Sequence, residues 1–137
     1  MDFISEYIFW IIFFGTILSI LLYKRISNNP NAVTAKYIGT LDLENKEISR
    51  EDILQAMKAS KFKNVYYDEG NEVFKGSVSF SMSSYFENIE IRLIDSENKP
   101  RLTFLSICGF PFQIYDWGKN KRNYNSFIKN LYKKSNP

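Results

Sequence analysis

A chain of 137 residues suffices for one domain, on a prior of roughly 100 to 200 residues per domain. Its 45% hydrophobic and 24% charged residues exclude both a disordered chain and one embedded in lipid throughout. With no histidine and one cysteine, Cys108, the chain has no serine–histidine or cysteine–histidine nucleophile, no imidazole- or thiolate-rich zinc site and no internal disulfide. The net charge of +3 is too small to imply nucleic acid as a partner. Its placement is uneven, however: from Asp116 onward, six basic residues stand against the single acid Asp116.

The N-terminal segment carries the strongest signal. From Tyr7 to Tyr23 the chain reads YIFWIIFFGTILSILLY without a charge, bounded by Glu6 and by Lys24-Arg25. As a helix this run covers about 26 Å against a hydrocarbon core of about 30 Å, and Lys24 can snorkel to close the gap. Tyr7, Trp10 and Tyr23 stand where interfacial aromatic belts form. A cleavable signal peptide would have a positive start and a shorter apolar run, whereas Asp2 and Glu6 make this start acidic. A core helix would show a polar face, and only Gly15, Thr16 and Ser19 interrupt the apolar surface. Residues 1–26 are therefore expected to form a retained single-pass anchor in the cell membrane. Lys24 and Arg25 follow the span directly, so the positive-inside rule puts the C-terminal side in the cytoplasm. Residues 27–32, with Pro30 among turn formers, read as a linker.

Residues 33–137 read as one soluble α+β domain. Val33, Ala35, Tyr37, Gly39, Leu41 and Leu43 alternate with more polar neighbours, the pattern of a half-buried strand. Ser49 to Asp52 fits a capping box, with Ile48 and Ile53 spaced as a hydrophobic staple, and Ile53, Leu54 and Met57 mark the buried face of a short helix. Residues 63–68 form a short strand that turns through Glu69-Gly70-Asn71 into a longer one with Phe74, Gly76, Val78, Phe80 and Met82 on one face. Ile89, Ile91 and Leu93 mark the next strand. Residues 101–108 are apolar on both faces and are expected to be covered on both sides. Gly109 and Pro111 predict a bend, followed by an extended stretch to Trp117 that could add a further strand. Tyr124, Phe127, Ile128, Leu131 and Tyr132 then form one helical stripe. The order is β-α-β-β-β-β(-β)-α, and an antiparallel meander with both helices on one face satisfies it. At fold level this order resembles small helix-grip and TATA-binding-protein-like domains, with no residue motif behind the likeness and so no function implied by it.

Chemistry is sparse. Asp68, Glu69 and Glu72 around Gly70, and Asp42, Glu44 and Glu47 after the first strand, lack the spacing of a calcium loop and read as wet turns. Glu87, Glu90 and Asp95 are the carboxylates from which a hydrolase would have to be built, and nothing in the sequence brings two of them together. Cys108, within an apolar strand, reads as a small buried hydrophobe. Two segments stand out as a ligand or partner surface. The aromatic stretch of Phe110, Phe112, Tyr115 and Trp117 would line an apolar pocket if the sheet curves over the last helix. The basic segment of Lys119, Lys121 and Arg122 would meet an anionic leaflet or a partner. The expected function is that of a non-enzymatic, membrane-tethered interaction or accessory domain, with a protein partner at the membrane and no cofactor, metal or nucleic acid. The alternative is a tethered binder of a lipid or other apolar ligand held between the sheet and the C-terminal helix.

Overall fold

The computed structural model describes residues 3–31, 34–43, 48–79, 86–94, 100–110, 113, 116 and 118–134. They fall into two units, Met1–Val33 and Thr34–Pro137. The first is built on helix α1 (Phe3–Ile26), 24 residues with Lys24 and Arg25 in the last turn, where cations complement the negative end of the helix dipole. Within it Tyr7–Ile26 is long and apolar enough to cross a membrane, at about 30 Å for its 20 residues.

The second unit follows the order β1 (Lys36–Asp42), α2 (Arg50–Ala59), β2 (Lys63–Asp68), β3 (Val73–Val78), β4 (Glu87–Ile94), β5 (Arg101–Cys108), α3 (Lys119–Lys134). Its five strands form one antiparallel sheet in the order β1-β5-β4-β3-β2. This corrects the plain meander: β2 to β5 follow one another, but β1 pairs with β5, Gly39 opposite Phe104, and not with β2. Consequently β1 and β2 run parallel at opposite edges. The physical reason is α2, whose ten residues span about 15 Å and carry the chain across a sheet about 19 Å wide. The further strand expected after Gly109 is not among the described residues, where β5 is the last; positions 111, 112, 114, 115 and 117 lie outside them, as do Val33, Phe80 and Met82.

Local chemistry sets the boundaries. Ser49 Oγ accepts from Asp52 N–H at 3.1 Å while Asp52 Oδ2 accepts from Ser49 N–H at 3.1 Å, so the capping box is present. The helix ends in a Schellman pattern: Phe62 N–H donates to Met57 O, Lys61 N–H donates to Lys58 O, and Lys61 takes a left-handed φ of 63°. Between Lys63 and Tyr66 the β2–β3 register shifts, and Asn64, at φ 52°, supplies the left-handed turn of this edge bulge.

Both helices of this unit cover one sheet face. Phe74, Ile89, Ile91, Leu102 and Phe104 point into it and meet Ile53 and Met57 of α2 and Phe127 and Leu131 of α3. Phe104 and Phe127 stack with centroids 5.6 Å apart. Gly39 is required for this approach, because a Cβ there would stand 2.5 Å from the Tyr124 ring. Strand β5 is interior, between the edge strand β1 and the central β4, yet among the described residues it is not covered on both sides as expected. Leu105, between Ile38 and Glu90 in the ladder, is half-buried, and Ile107 is 39% exposed. Among the described residues no helix lies over that face, and its apolar residues shelter against their neighbours in the sheet.

Candidate functional site

On α1 the expected belt residues are outward: Tyr7, Trp10 and Tyr23 are 57%, 47% and 59% exposed. Trp10 meets the rings of Phe9, Phe13 and Phe14, giving an aromatic cluster toward one end of the span. The two aliphatic hydroxyls of the span are satisfied within the helix, Thr16 Oγ1 donating to Ile12 O and Ser19 Oγ to Gly15 O, both at 2.8 Å. A helix that closes its own backbone and hydroxyl bonds can enter hydrocarbon without leaving a polar group bare.

The C-terminal surface residues separate. Phe110 is 38% exposed, while Phe112, Tyr115 and Trp117 lie outside the described residues. Lys121 and Arg122 are exposed on the first turns of α3. Lys119 is not on the surface: it is 7% exposed, and its Nζ lies 2.7 Å from Glu87 Oε2 and donates to Ser79 O at 3.0 Å. The reason is helical phase. Residues 116, 120, 123, 127 and 131 continue one stripe backward from Leu131, and Lys119 flanks it on the side of the sheet.

This stripe exposes a buried polar cluster that sequence reasoning missed. Glu87, on the inner face of β4 with Ile89 and Ile91, is fully buried, as is Ser106 on the inner face of β5. Ser106 Oγ donates to Asn120 Oδ1 and accepts from Asn123 Nδ2 at 3.2 Å. Asn120 Nδ2 donates to Ala35 O at 2.8 Å, and the same carbonyl accepts from Cys108 N–H at 2.9 Å. Asp116 Oδ1 accepts from Gly118 N–H at 3.1 Å and Oδ2 from Asn120 N–H, capping α3. The signal was present as parity: Glu87 and Ser106 share the face of the apolar residues two positions along, and Asn120 and Asn123 share the phase of Phe127.

Chemically the cluster is a clamp. Its donors and acceptors bind the first turn of α3 to β4, β5 and Ala35, the residue immediately before β1. Glu87 and Glu90 lie on opposite faces of β4, so they do not converge, and Asp95 lies outside the described residues. Cys108 Sγ donates to Gln113 Oε1 at 3.0 Å from a buried position. Asp68, on the β2–β3 turn, is held by Lys75 Nζ at 2.8 Å and by Asn71, and these bonds lower its carboxyl pKa to about 2. Among the described residues no three acidic or thiol side chains gather into a metal-ligating group. Between sheet and α3 the described space is filled by Phe104, Phe127 and Tyr124, whose contacts lend no support to a cavity for an apolar ligand. No protein-family model matches this chain, and no curated protein matches it.

Proposed function

We propose that the chain is a single-pass membrane protein whose first helix remains attached as an anchor and whose 34–137 unit acts in the cytoplasm as a non-enzymatic interaction or accessory domain for a protein partner at the membrane. The observation that carries the reading is the span itself: Tyr7–Ile26, apolar around its whole circumference, with none of it buried within the protein and Lys24-Arg25 in its last turn. Exposed to water, such a surface would be strongly unfavourable, and lipid is the solvent that relieves it. The cytoplasmic side follows from the two cations. The non-enzymatic role is supported by the use of the buried ionisable groups, since Glu87, Lys119 and Asp116 all bind α3 in place.

The test is extraction and labelling in cells. The full chain is expected to stay in the membrane pellet after alkaline carbonate and to leave it with detergent. Placing lysine at Ile12 and Leu18 is expected to release it, at a cost of about 2.5 to 3.5 kcal/mol per residue near the span centre. A cysteine at Glu72 is expected to react with an impermeant maleimide only after permeabilisation; reaction in intact cells overturns the cytoplasmic placement. Recovery of a mature chain starting near Lys36 overturns the anchor.

A further inference from the structure

We propose that the end of the domain at which β1 and β2 begin is a lipid-contacting surface that seats on anionic headgroups. The inference rests on the membrane-anchored reading above and adds to it which surface meets the bilayer and what lipid it selects.

Four exposed cations mark this end. The parallel edge strands start with Lys36 and Lys63, which share one ladder row with Ser77, Asn88 and Ile107. The bonds of Lys119 to Glu87 and Ser79, and of Asn120 to Ala35, bring the first turn of α3 to the same end, and Lys121 and Arg122 come with it. Two rings join them. Phe86, 50% exposed, lies against Gly109, where a Cβ would collide with its ring, and Phe110 follows at 38% exposed. Aromatic rings beside cations are the composition that partitions into the headgroup layer. Among the described residues the acids at this end are Glu87 and Asp116, both buried and both engaged by α3.

At the other ends of the same strands acids and cations are interspersed, Lys75 pairing with Asp68 and Arg50 lying over Tyr67. Asp42 closes β1, Asp68 closes β2, and Glu69 and Glu72 stand in the turn that follows. Arg101 there is held by Asp42 at 2.7 Å. The surplus of positive charge therefore lies at the end where the chain arrives from α1. Only residues 27–35 separate α1 from β1, a contour of about 30 Å at most. Because β1 starts at the basic end, that end is the one joined to the tether and within its reach of the leaflet. A surface potential that decays over about 8 Å at physiological salt acts on whichever end comes that close.

The full chain in nanodiscs decides it. A polarity-sensitive dye is attached at Ser79→Cys or at Glu72→Cys, each in a Cys108→Ala background, in discs of phosphatidylcholine alone or with about 30% phosphatidylserine. The dye at position 79 is expected to shift to the blue with phosphatidylserine and to return at high salt, while that at position 72 stays unchanged. Lys36→Ala and Lys121→Ala are each expected to lower the ratio of docked to undocked protein about fivefold. Hydrogen exchange on the unsubstituted chain gives an independent readout: slower exchange at residues 34–36, 86–88, 107–110 and 119–122 when the lipid is anionic. Equal signals in the two lipids, or a larger change at position 72, overturn the proposal. A chain that elutes apart from the discs defeats the anchored reading itself, whereas one retained in them without these changes defeats only this inference.

Discussion

The two halves of α3 face the same sheet and hold to it by opposite means. Toward its C-terminal end Phe127 and Leu131 bury against Phe104 and the residues of α2, with one hydrogen bond, from Asn130 Nδ2 to Ser60 Oγ at 3.0 Å, at the border of the packing. Toward its start Lys119, Asn120 and Asn123 bury against Glu87 and Ser106, and most of the contact is hydrogen bonds and one ion pair. Apolar packing stabilises by the area it removes from water and tolerates sliding. A buried charge pair contributes little net stability, yet it is satisfied in only one register. The first half therefore sets where α3 starts, and with it the position of Ala35 and β1. The second supplies most of the burial.

The largest expected effect separates these roles. Lys119→Met leaves Glu87, fully buried, beside a thioether, at a cost of about 3 to 5 kcal/mol. Phe127→Ala is expected to cost a similar amount, about 3 to 5 kcal/mol, through the cavity it opens. Thermal unfolding of the full chain in detergent reads both. The distinction lies in rescue: adding Glu87→Leu to Lys119→Met removes the uncompensated charge and is expected to restore most of the stability, while no change at Glu87 restores Phe127→Ala. A double variant as unstable as Lys119→Met alone would mean that the pair does more than satisfy itself.

The same division explains what was legible in the sequence. Phe127 and Leu131 announced themselves because an apolar residue every third or fourth position has one common reading, a buried helical face. The strands showed through period two, and α2 through Ser49 and Asp52, because those signals are local. Lys119 and Glu87 were not legible in this way. A lone lysine at a helix start and a glutamate at a strand start usually sit in water, and only their three-dimensional pairing makes burial affordable. The position of β1 was hidden for a related reason: pairing with β5 joins residues 59 to 71 positions apart, and Lys36 to Asp42 fit either neighbour by pattern alone. Leu105 and Ile107 misled because a strand apolar on both faces resembles a doubly covered one even where one face carries no helix among the described residues.

A second expectation sharpens the role of the apolar half. Tyr124 bridges the two halves, its ring on Gly39 and its hydroxyl donating to Thr40 O at 3.3 Å. Gly39→Ala puts a methyl where the ring now lies and is expected to cost about 1 to 3 kcal/mol. Combining it with Tyr124→Leu tests whether the contact itself is responsible. The two losses are expected to be less than additive, by more than about 0.5 kcal/mol in a double-mutant cycle. Additive losses would place the strain elsewhere in β1.

The smallest effect comes from a charge pair that is not buried, and it calibrates the first. Lys75 and Asp68 lie as close as Lys119 and Glu87, 2.8 against 2.7 Å, but their side chains are 32% and 22% exposed against 8% and 0%. The bonds from Lys75 and Asn71 lower the Asp68 pKa from 3.8 to about 2. A group whose folded pKa is depressed adds stability that is complete above its unfolded pKa and disappears as the pH falls through the folded value. The contribution of Asp68 is therefore present at neutral pH, declines below about pH 4, and is gone once the pH has passed through about 2. Asp68→Asn is expected to lower the melting temperature at pH 7 only slightly and to flatten its fall between pH 4 and 2 by the same small amount, because water screens an exposed pair. Carboxyl titration by NMR gives the direct check: a midpoint near 3.8 for Asp68 would show that the turn does not hold it. A drop at pH 7 as large as that of Lys119→Met would show that distance, and not burial, governs what these pairs are worth.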